Sequence, residues 1–599
     1  MKPFSHGEYG SKIIVTTQSE KVASMVHDLP PYHLTTLSSD ACWNLFKKVA
    51  FNNSNPIVPS ELEEIGREIV EKCNGQPLAV KSLCSLLRHQ SNSKDWESIR
   101  DSDIWELSQK NCNILHALWL SYQYLPSHLK QCFAYCSIFP KGFQFAKEDL
   151  IKLWMAEDLL HPQKSKRTEE VGEEFVHDLL SRSLFKKSIK LDKSVCLTMH
   201  DLVNDLATFI VGDLCLRSYC SSLNKASNNK IRYWSHLKGE NDNCEKFEGL
   251  VEAKHLRTLL LTSTRHFTAK LELANLLPLL TCLRVLSLYN TSITELPDSI
   301  VDLKLLRYLN LSGTRIKKIL NGVCTLYNLQ TLLLRNCSEL FLLPPETVNL
   351  TNLRHLDIEC TSIKEMPKEM GTLKDLQTLS TFVLGKDNTV EELKNLQDLG
   401  GSLHILQLEN VVKVEEVTAA RLKDMKYLTE LEFEWSLKSD GGSRNQNPQE
   451  VLAGLQPHTN IKVVKIKTWR GKKFPNWVGD HSFSGLEHIE LLGCMNCDSL
   501  PPLGQLPFLK QLVICQFTEF LKIGDELYGG SAEDTPFRCL ELLQISQMPK
   551  CKEWSLSGGH FKGSFPKLKE IVLKASPDLT AESAYLRLWK PLKLVDATK

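Results

Sequence analysis

Apolar residues recur in the second half of the chain at the positions of a repeat. Three successive segments read LRVLSLYNTSITELP, LRYLNLSGTRIKKIL and LQTLLLRNCSELFLLP, each with the pattern L-x-x-L-x-L followed by a small or polar residue and another aliphatic. The second aliphatic lies at Leu286, Leu309 and Leu332 and continues at Leu356 and Leu379, in steps of about 23 residues, a spacing typical of leucine-rich repeats. The pattern predicts a solenoid of short parallel strands whose leucines point into a shared core.

Looser copies of the pattern extend in both directions. Upstream the anchor is Leu259, and about thirteen repeats are expected in all. The downstream anchors are Leu406, Leu431, Val464, Ile489, Leu512, Leu543 and Ile571. The last residues, ESAYLRLWKPLKLVDATK, leave the pattern and are expected to form a separate tail.

Residues between and after the leucines are expected to point outward, on the concave face of the solenoid. Glutamates beside Trp435 and lysines before Trp469 predict a change of charge sign along this face, and opposed charges with aromatic residues suit protein recognition. The simpler alternative is that the charges only keep the strands solvated. The predicted partner-binding residues are Tyr289, Arg307, Tyr308, Arg354, His355, Glu432, Trp435, Lys465 and Trp469.

The first 215 residues lack the repeat and predict helices with a few strands. The apolar run from Ile13 to Val15 predicts a buried parallel strand, although the few residues before it supply no neighbouring strand. Ser38 or Ser39 is expected to cap a helix, and another helix is expected from Ser60 to Cys73. Pro77 is well placed to begin the helix that follows.

The last part of this half combines helices, a short strand from Val195 to Met199 and a closing helix from Asp201. This order is compatible with a winged-helix unit. A winged helix can bind DNA, but the helix carrying Lys147, Glu148 and Asp149 has mixed charge, which argues against nucleic acid.

Composition places the chain among globular proteins. Of its 599 residues 42% are hydrophobic and 24% are charged, while 72 Lys and Arg balance 71 Asp and Glu. No global field therefore attracts nucleic acid or membrane. The start lacks a secretory signal and no apolar run is long enough to cross a bilayer, so we expect a cytoplasmic protein with reduced cysteines. Cys494 and Cys497 form a C-x-x-C without a second pair, which predicts packing in a repeat loop and no metal site.

Four segments, in order, resemble the NB-ARC module of plant disease-resistance proteins with leucine-rich repeats. They are GSKIIVTTQSEKVA, CNGQPLAV, CFAYCSIFPKGFQFAKEDLIKLWMAEDLL and MHDLVNDLA. The resemblance implies an α/β chain: a remnant of a nucleotide-binding domain, a helical domain and a winged helix, followed by the repeats. In that family ADP holds the module closed, ATP opens it, and the repeats sense pathogen proteins and restrain the switch.

The resemblance also implies a set of nucleotide-binding residues. Pro77 would pack on the adenine and His200 would reach the terminal phosphate of ADP, and an imidazole near a helix start is suited to donate to an anion. Without the resemblance, Pro77 is simply a helix starter and His200 a core residue. The full set is Thr16, Thr17, Pro77, His200 and Asp201.

Other parts of the module are missing from the sequence. The phosphate loop G-x-x-x-x-G-K-[ST] does not occur, nor does the acidic strand that binds Mg²⁺. Gln18 stands where the family usually has arginine, and Gln76 where it has leucine. We therefore expect neither ATP hydrolysis nor tight nucleotide binding, and we interpret the chain as truncated at its N-terminal side.

The sequence leads to three hypotheses: a receptor for a pathogen effector or a guarded host protein, a scaffold or decoy that has lost the switch, and a switch completed by residues of a longer product. The repeats are also expected to contact the NB-ARC remnant. The expected boundaries are a nucleotide-binding remnant at 1–30, a helical domain at 31–110, a winged helix at 111–215, a linker at 216–250, the solenoid at 251–580 and the tail at 581–599.

Overall fold

The structure is a computed structural model of the whole chain. It consists of two compact units, which interleave along the sequence: unit 1 comprises 1–134, 141–145 and 173–210, and unit 2 comprises 135–140, 146–172 and 211–599. The residues that the structure describes are 12, 14–17, 20–26, 32–51, 59–88, 90, 92–106, 116–161, 166–189, 195–217, 230–237, 250–262, 269–436, 447–529, 535–554, 565–574 and 593–596.

Unit 1 is built mainly from helices, as the three- and four-residue spacing of its apolar residues predicts. Ser38 caps the helix Ser39–Ala50 by accepting a hydrogen bond from the amide of Ala41, and Pro77 begins the helix Pro77–Leu87, so both predictions are confirmed. The helices are α1 (Glu20–Val26), α2 (Ser39–Ala50), α3 (Ser60–Lys72), α4 (Pro77–Leu87), α5 (Ser93–Arg100), α6 (His116–Gln123) and α7 (Ser127–Tyr135).

One hydrophobic core of unit 1 lies among α2, α3, α4, α5 and α6. Trp43 and Phe46 stack at 5.2 Å between ring centroids, and Trp96 meets Phe46 edge-on at 5.6 Å. The prediction of a buried strand at 13–15 is wrong for Ile14 and Val15, which lie outside any strand; Ile14 is 90% exposed. Ile13 lies outside the described residues. An apolar run forms a buried parallel strand only when neighbouring strands cover both of its edges.

A hairpin and a further helix complete unit 1. The hairpin is antiparallel and pairs β1 (Lys186–Ile189) with β2 (Val195–Thr198), and α10 (Asp201–Val211) follows. These elements match the predicted strand and closing helix. Two helices at 146–181 precede the hairpin: α8 (Lys147–Ala156) belongs to unit 2, and α9 (Thr168–Ser181) begins there.

Unit 2 is dominated by two parallel sheets. The eight strands of the first are β3 (Cys215–Arg217), β4 (Tyr233–Leu237), β5 (Thr258–Thr262), β6 (Val285–Tyr289), β7 (Tyr308–Asn310), β8 (Thr331–Leu333), β9 (His355–Asp357) and β10 (Thr378–Leu379). The nine of the second are β11 (Thr381–Val383), β12 (Gly400–Leu406), β13 (Tyr427–Glu434), β14 (Val463–Lys467), β15 (His488–Leu492), β16 (Gln511–Cys515), β18 (Leu542–Ser546), β20 (Glu570–Lys574) and β21 (Lys593–Asp596).

Short elements fill the connections between these strands. Besides several turns of 3₁₀-helix, they are α11 (Ala269–Leu276), α12 (Val414–Ala419), α13 (Pro448–Gly454) and the two-stranded sheet of β17 (Lys522–Ile523) and β19 (Glu553–Trp554).

The predicted repeat register is confirmed in the first sheet. Leu286 pairs with Leu309, Leu309 with Leu332, Leu332 with Leu356 and Leu356 with Leu379. These leucines are buried in one continuous core, where each stabilises the fold by about 1.5–3 kcal/mol. No single repeat could bury them, so the solenoid is stable only as a stack.

The limits of the solenoid differ from those expected. The predicted linker at 216–250 contains β4, which pairs with β3 and β5, and the predicted tail contains β21, which pairs with β20. Leu403, not Leu406, pairs with Leu431. These segments lack the full leucine pattern or offer two aliphatic registers, so main-chain pairing with a neighbouring strand decides where they lie.

Candidate functional site

The outward side chains of the parallel strands form the candidate binding surface, which we call the strand face. It consists of the residues of β5 to β16 that alternate with the core aliphatics, because successive strand residues point to opposite sides. Register aligns these residues across the sheet: Tyr308 pairs with Thr331, Thr331 with His355 and His355 with Thr378. Predicted partner residues from separate repeats are thus brought into one row.

A segment of the chain itself covers the first part of the strand face. This covering segment is 146–172, which belongs to the same compact unit as the repeats, and its described residues are 146–161 and 166–172. Where α8 ends, Thr258 donates a hydrogen bond to the carboxylate of Glu157, and Arg284 Nη1 donates to the Glu157 main-chain oxygen at 3.1 Å. Arg307 Nη1 lies 3.2 Å from Asp158 Oδ1.

The start of α9 continues the contact further along the sheet. Arg354 Nη1 donates to Thr168 Oγ1 at 3.3 Å, and His355 Nε2 lies 3.1 Å from Glu169 Oε1. The amide of Gln377, in the orientation that its surroundings require, donates to both oxygens of Glu169. Five of the strands from β5 to β10, or the residues just before them, therefore contribute polar contacts to the covering segment.

Arg167 makes the last contact in this series. Its guanidinium lies 3.5 Å from the ring centroid of Tyr427, and its Nη2 lies 2.6 Å from Asp398 Oδ1. Asp398 precedes β12 and Tyr427 begins β13, so the covering segment reaches the second sheet.

The buried pair of His355 and Glu169 has shifted pKa values. Burial lowers the pKa of His355, against the opposing effect of Glu169. Burial alone would raise the pKa of Glu169, but the hydrogen bond and charge of His355 hold it below its ordinary value. Both shifts favour a neutral imidazole beside a carboxylate.

Several predicted partner residues lie under the covering segment. Tyr308 and His355 point outward from their strands as expected, but both are buried. Arg307 and Arg354 are occupied by the contacts above, whereas Tyr289 remains 46% exposed. The first half of the strand face is therefore filled from within the chain, and a free partner cannot contact these buried side chains in this conformation.

Beyond the covering segment, charges of opposite sign meet on β13 and β14. Glu430 Oε1 lies 2.6 Å from Lys465 Nζ, and Glu432 Oε1 lies 2.5 Å from Lys467 Nζ. Burial alone would lower the pKa of Lys465, but Glu430 and neighbouring carboxylates raise it above its ordinary value. The predicted change of sign is present, and it takes the form of cross-strand ion pairs on a half-buried surface.

The prediction that Trp435 and Trp469 face a partner is wrong. Trp435 is 1% exposed, and the two rings meet edge-on in the core at 4.9 Å between centroids. Strand alternation explains this placement, since Trp435 has the parity of the core residues Leu431 and Phe433. Counting that parity in the sequence would have identified it as a core residue.

The candidate nucleotide-binding residues lie in unit 1, mostly at exposed positions. Thr16 and Thr17 are exposed, and so is Pro77 at the first position of α4. His200 is exposed immediately before α10, where its Nδ1 accepts a hydrogen bond from the amide of Leu202, and Asp201 is the first residue of that helix. Pro77 and His200 therefore both stand at helix N termini, which suit anion binding.

The backbone at position 75, in the glycine-x-proline segment, adopts a conformation and a close approach that require glycine. Its φ is +69°, its carbonyl accepts a hydrogen bond from the Leu37 amide at 2.9 Å, and a Cβ there would lie 2.5 Å from the Leu37 oxygen. Only glycine fits this approach without strain. The segment before α2 is thereby joined to the start of α4.

Cys494 and Cys497 are both buried in the solenoid core. Burial raises the pKa of each thiol, so both are inert core side chains rather than reactive thiolates. In the part of the chain that the structure describes, no helix has the length and apolar character needed to span a membrane.

Three family models match separate parts of the chain. The NB-ARC domain matches 1–56, the disease resistance protein winged helix domain matches 138–207, and the repeats described as R13L1/DRL21 LRRs match 390–517. They follow one another in the order that the sequence motifs predict.

The similar proteins include an RPP13-like disease-resistance protein of Arabidopsis thaliana, 42% identical over 97% of this chain and 56% of its own length. Disease resistance protein RGA2 of Solanum bulbocastanum is 36% identical over 96% of this chain and 57% of its own length. The chain thus spans just over half the length of these two relatives. Among solved structures, a leucine-rich-repeat protein of Leptospira interrogans has 18% identity and a TM-score of 0.42, covering 63% of this chain and 99% of that one.

Proposed function

The chain carries the NB-ARC, winged-helix and leucine-rich-repeat segments of plant disease-resistance proteins, and we propose that it acts in plant defence as a cytoplasmic receptor for a pathogen effector or a guarded host protein. Recognition takes place on the strand face of the repeats. The observation that carries the proposal is the covering segment, because it divides this surface into an occupied and an open part.

The occupied part of the strand face restrains the covering segment. Asp158, Thr168 and Glu169 of the covering segment contact Arg307, Arg354 and His355 of the repeats, respectively. The covering segment lies within the stretch that the winged helix domain matches. A partner that competes for these side chains, or that displaces Arg167 from Tyr427, would release the segment. Restraint and recognition are then coupled through one surface.

The open part provides recognition. The ion pairs of Glu430 with Lys465 and Glu432 with Lys467 present both charges on neighbouring strands, next to the end of the covering segment. Their mutual neutralisation disfavours a partner of one uniform charge and favours one whose own charges alternate. A protein surface fits this requirement better than a nucleic acid.

By resemblance, Thr16, Thr17, Pro77, His200 and Asp201 form what this chain retains of an ADP or ATP site. The phosphate loop does not occur in the sequence, so most phosphate contacts are missing and we propose that the chain has no ATPase activity. The domain boundaries 1–30, 31–110 and 111–215 serve as the working division of the module.

The second candidate is a scaffold or decoy that retains the repeats without the switch, favoured by the missing phosphate loop. Titration of the purified chain with ADP tests whether a nucleotide switch operates in this chain at all. We expect no heat of binding at micromolar ADP. A micromolar affinity for ADP that is lost in His200→Ala would instead support a working switch.

Silencing in the plant that encodes the chain tests the role in defence. We expect loss of resistance to at least one strain in a panel of pathogens, restored by the intact chain and not by a Glu432→Lys, Lys465→Glu double variant. Arg421→Ala, on an exposed pair with Asp424, is the matched control. Unchanged susceptibility across the panel would contradict the proposal.

A further inference from the structure

Three potential metal ligands converge on the strand face where the second sheet begins. His404 lies in β12, and Glu432 and Glu434 lie in β13. His404 pairs with Glu432 in the parallel register, and Glu434 is two residues further along the same strand. Strand alternation therefore places all three side chains on the same side of the sheet.

The three side chains bring one ring nitrogen and two carboxylate oxygens close together. His404 Nε2 lies 3.1 Å from Glu432 Oε1 and 3.1 Å from Glu434 Oε2, and the three atoms all lie within 4.8 Å of one another. A ring nitrogen carries at most one hydrogen, which can point to only one oxygen. One hydrogen on His404 Nε2 therefore leaves at least one of these two carboxylate oxygens without a well-directed hydrogen bond from the imidazole.

A metal ion could contact all three ligand atoms at once. Ligand atoms at about 2.0–2.1 Å from a tetrahedral Zn²⁺ lie about 3.3 Å apart, close to two of the separations seen here. One imidazole nitrogen with two carboxylate oxygens suits Zn²⁺ and neighbouring first-row ions, whereas Ca²⁺ and Mg²⁺ prefer oxygen ligands alone. We propose that His404, Glu432 and Glu434 form a binding site for a divalent transition-metal ion of this type.

Lys467 competes with a metal ion for one of the three proposed ligand atoms. Its Nζ lies 2.5 Å from Glu432 Oε1, which is one of the three proposed ligand atoms. The ammonium group must leave this oxygen before an ion can bind. Its side chain is 31% exposed, which gives it access to solvent. Lys467 therefore weakens the site and ties ion binding to rearrangement of an ion pair on the recognition surface.

Three protein ligands leave the fourth position of a tetrahedral ion open. A carboxylate or imidazole of a bound partner could fill it, and the ion would then join the partner directly to β12 and β13. The site also lies on the two strands that Arg167 approaches through Asp398 and Tyr427. Metal binding would in this way contribute to recognition on the open part of the strand face.

Absorption spectroscopy of the full chain with Co²⁺ as the probe tests the site. Nitrogen and oxygen ligands give weak visible bands, whereas coordination by any of the 19 cysteines adds intense sulfur-to-metal charge transfer. We expect the weak bands to saturate, and Zn²⁺ to abolish them by displacing Co²⁺. His404→Ala and Glu434→Gln should each reduce Co²⁺ affinity at least about tenfold.

Two further variants keep the test decisive. Glu430→Gln is the matched control, because Glu430 lies on the same strand and face but pairs with Lys465, so its affinity for Co²⁺ should be unchanged. Lys467→Met removes the competitor and should raise the affinity. Circular dichroism checks that each variant folds. Co²⁺ bands that persist in both His404→Ala and Glu434→Gln, or that never appear in the intact chain, would overturn the proposal.

Discussion

His355 Nε2 and Glu169 Oε1 lie 3.1 Å apart, joining β9 of the repeats to the start of α9 in the covering segment. Both residues have pKa values below their ordinary values, so both favour the state of lower proton occupancy. Lys152 and Arg354 also face the imidazole and lower its pKa further. The pair therefore makes docking of the covering segment dependent on pH.

Acidification should release the covering segment. Released His355 and Glu169 bind protons more readily than the docked pair, so docking is strongest above the ordinary histidine pKa of 6.5. It weakens as pH falls below 6.5, and further as pH falls through the lowered pKa of Glu169. Hydrogen exchange of 166–172, corrected for intrinsic rates, should rise between pH 7 and pH 5. His355→Gln should reduce this dependence, because the imidazole is the group of the pair that gains a proton between pH 7 and pH 5, and Glu170→Gln should retain it; identical profiles for the two variants would contradict it.

Arg167 should couple the covering segment to the second sheet through Tyr427. Its ion pair with the largely exposed Asp398 is expected to contribute less than about 1 kcal/mol, and its stacking on the ring about 0.5–1 kcal/mol. A double-mutant cycle of Arg167→Ala and Tyr427→Leu, read by hydrogen exchange of the segment, should give coupling of about 0.5–1 kcal/mol. Additive effects would exclude the stacking interaction.

Trp435 should matter for stability and not as a direct partner contact. Trp435→Ala removes a ring packed against Trp469 and should lower the free energy of unfolding by about 3–5 kcal/mol. Tyr289→Ala, at an exposed strand-face position, should change it by less than about 0.5 kcal/mol. Denaturant unfolding of the full chain measures both. A stable Trp435→Ala protein would place the indole outside the core.

Substitutions at Gly75 and Gly142 distinguish the cost of backbone strain from the cost of a steric clash. Both have positive φ, but a Cβ at Gly75 meets the Leu37 oxygen at 2.5 Å whereas Gly142 has open space around it. Gly142→Ala should cost about 1–2 kcal/mol from backbone strain alone, and Gly75→Ala should cost more because the clash adds to it. Thermal unfolding of the full chain compares them. Equal costs would mean that the contact with Leu37 relaxes freely.

The sequence predicted those features that depend on local patterns. Leucine spacing predicted the register of Leu286 with Leu309, and capping chemistry narrowed the N-cap of α2 to Ser38 or Ser39, of which Ser38 is the cap in the structure. Such signals are strong because one interaction, burial or a single hydrogen bond, decides each of them. The choice of Leu406 over Leu403 failed because LHILQL offers two aliphatic registers, and only pairing with β13 selects one.

The occupied surface could not be predicted in the same way. Tyr308 and His355 have the right parity for an exposed strand face, and only the covering segment, more than a hundred residues earlier in the chain, buries them. The cluster at His404 was equally hidden, because it combines residues from two repeats. Contacts between distant segments leave no periodic signal in the sequence.

The central claim is that the covering segment occupies the first part of the strand face and leaves the remainder open. Hydrogen exchange of the full chain, intact and with Arg307→Glu and Arg354→Glu combined, tests it most directly. We expect faster exchange at 157–161 and 166–172 in the variant, since the introduced glutamates repel Asp158 and Glu169, with β13 to β16 unchanged. Equal exchange of these segments in the two proteins would contradict the claim.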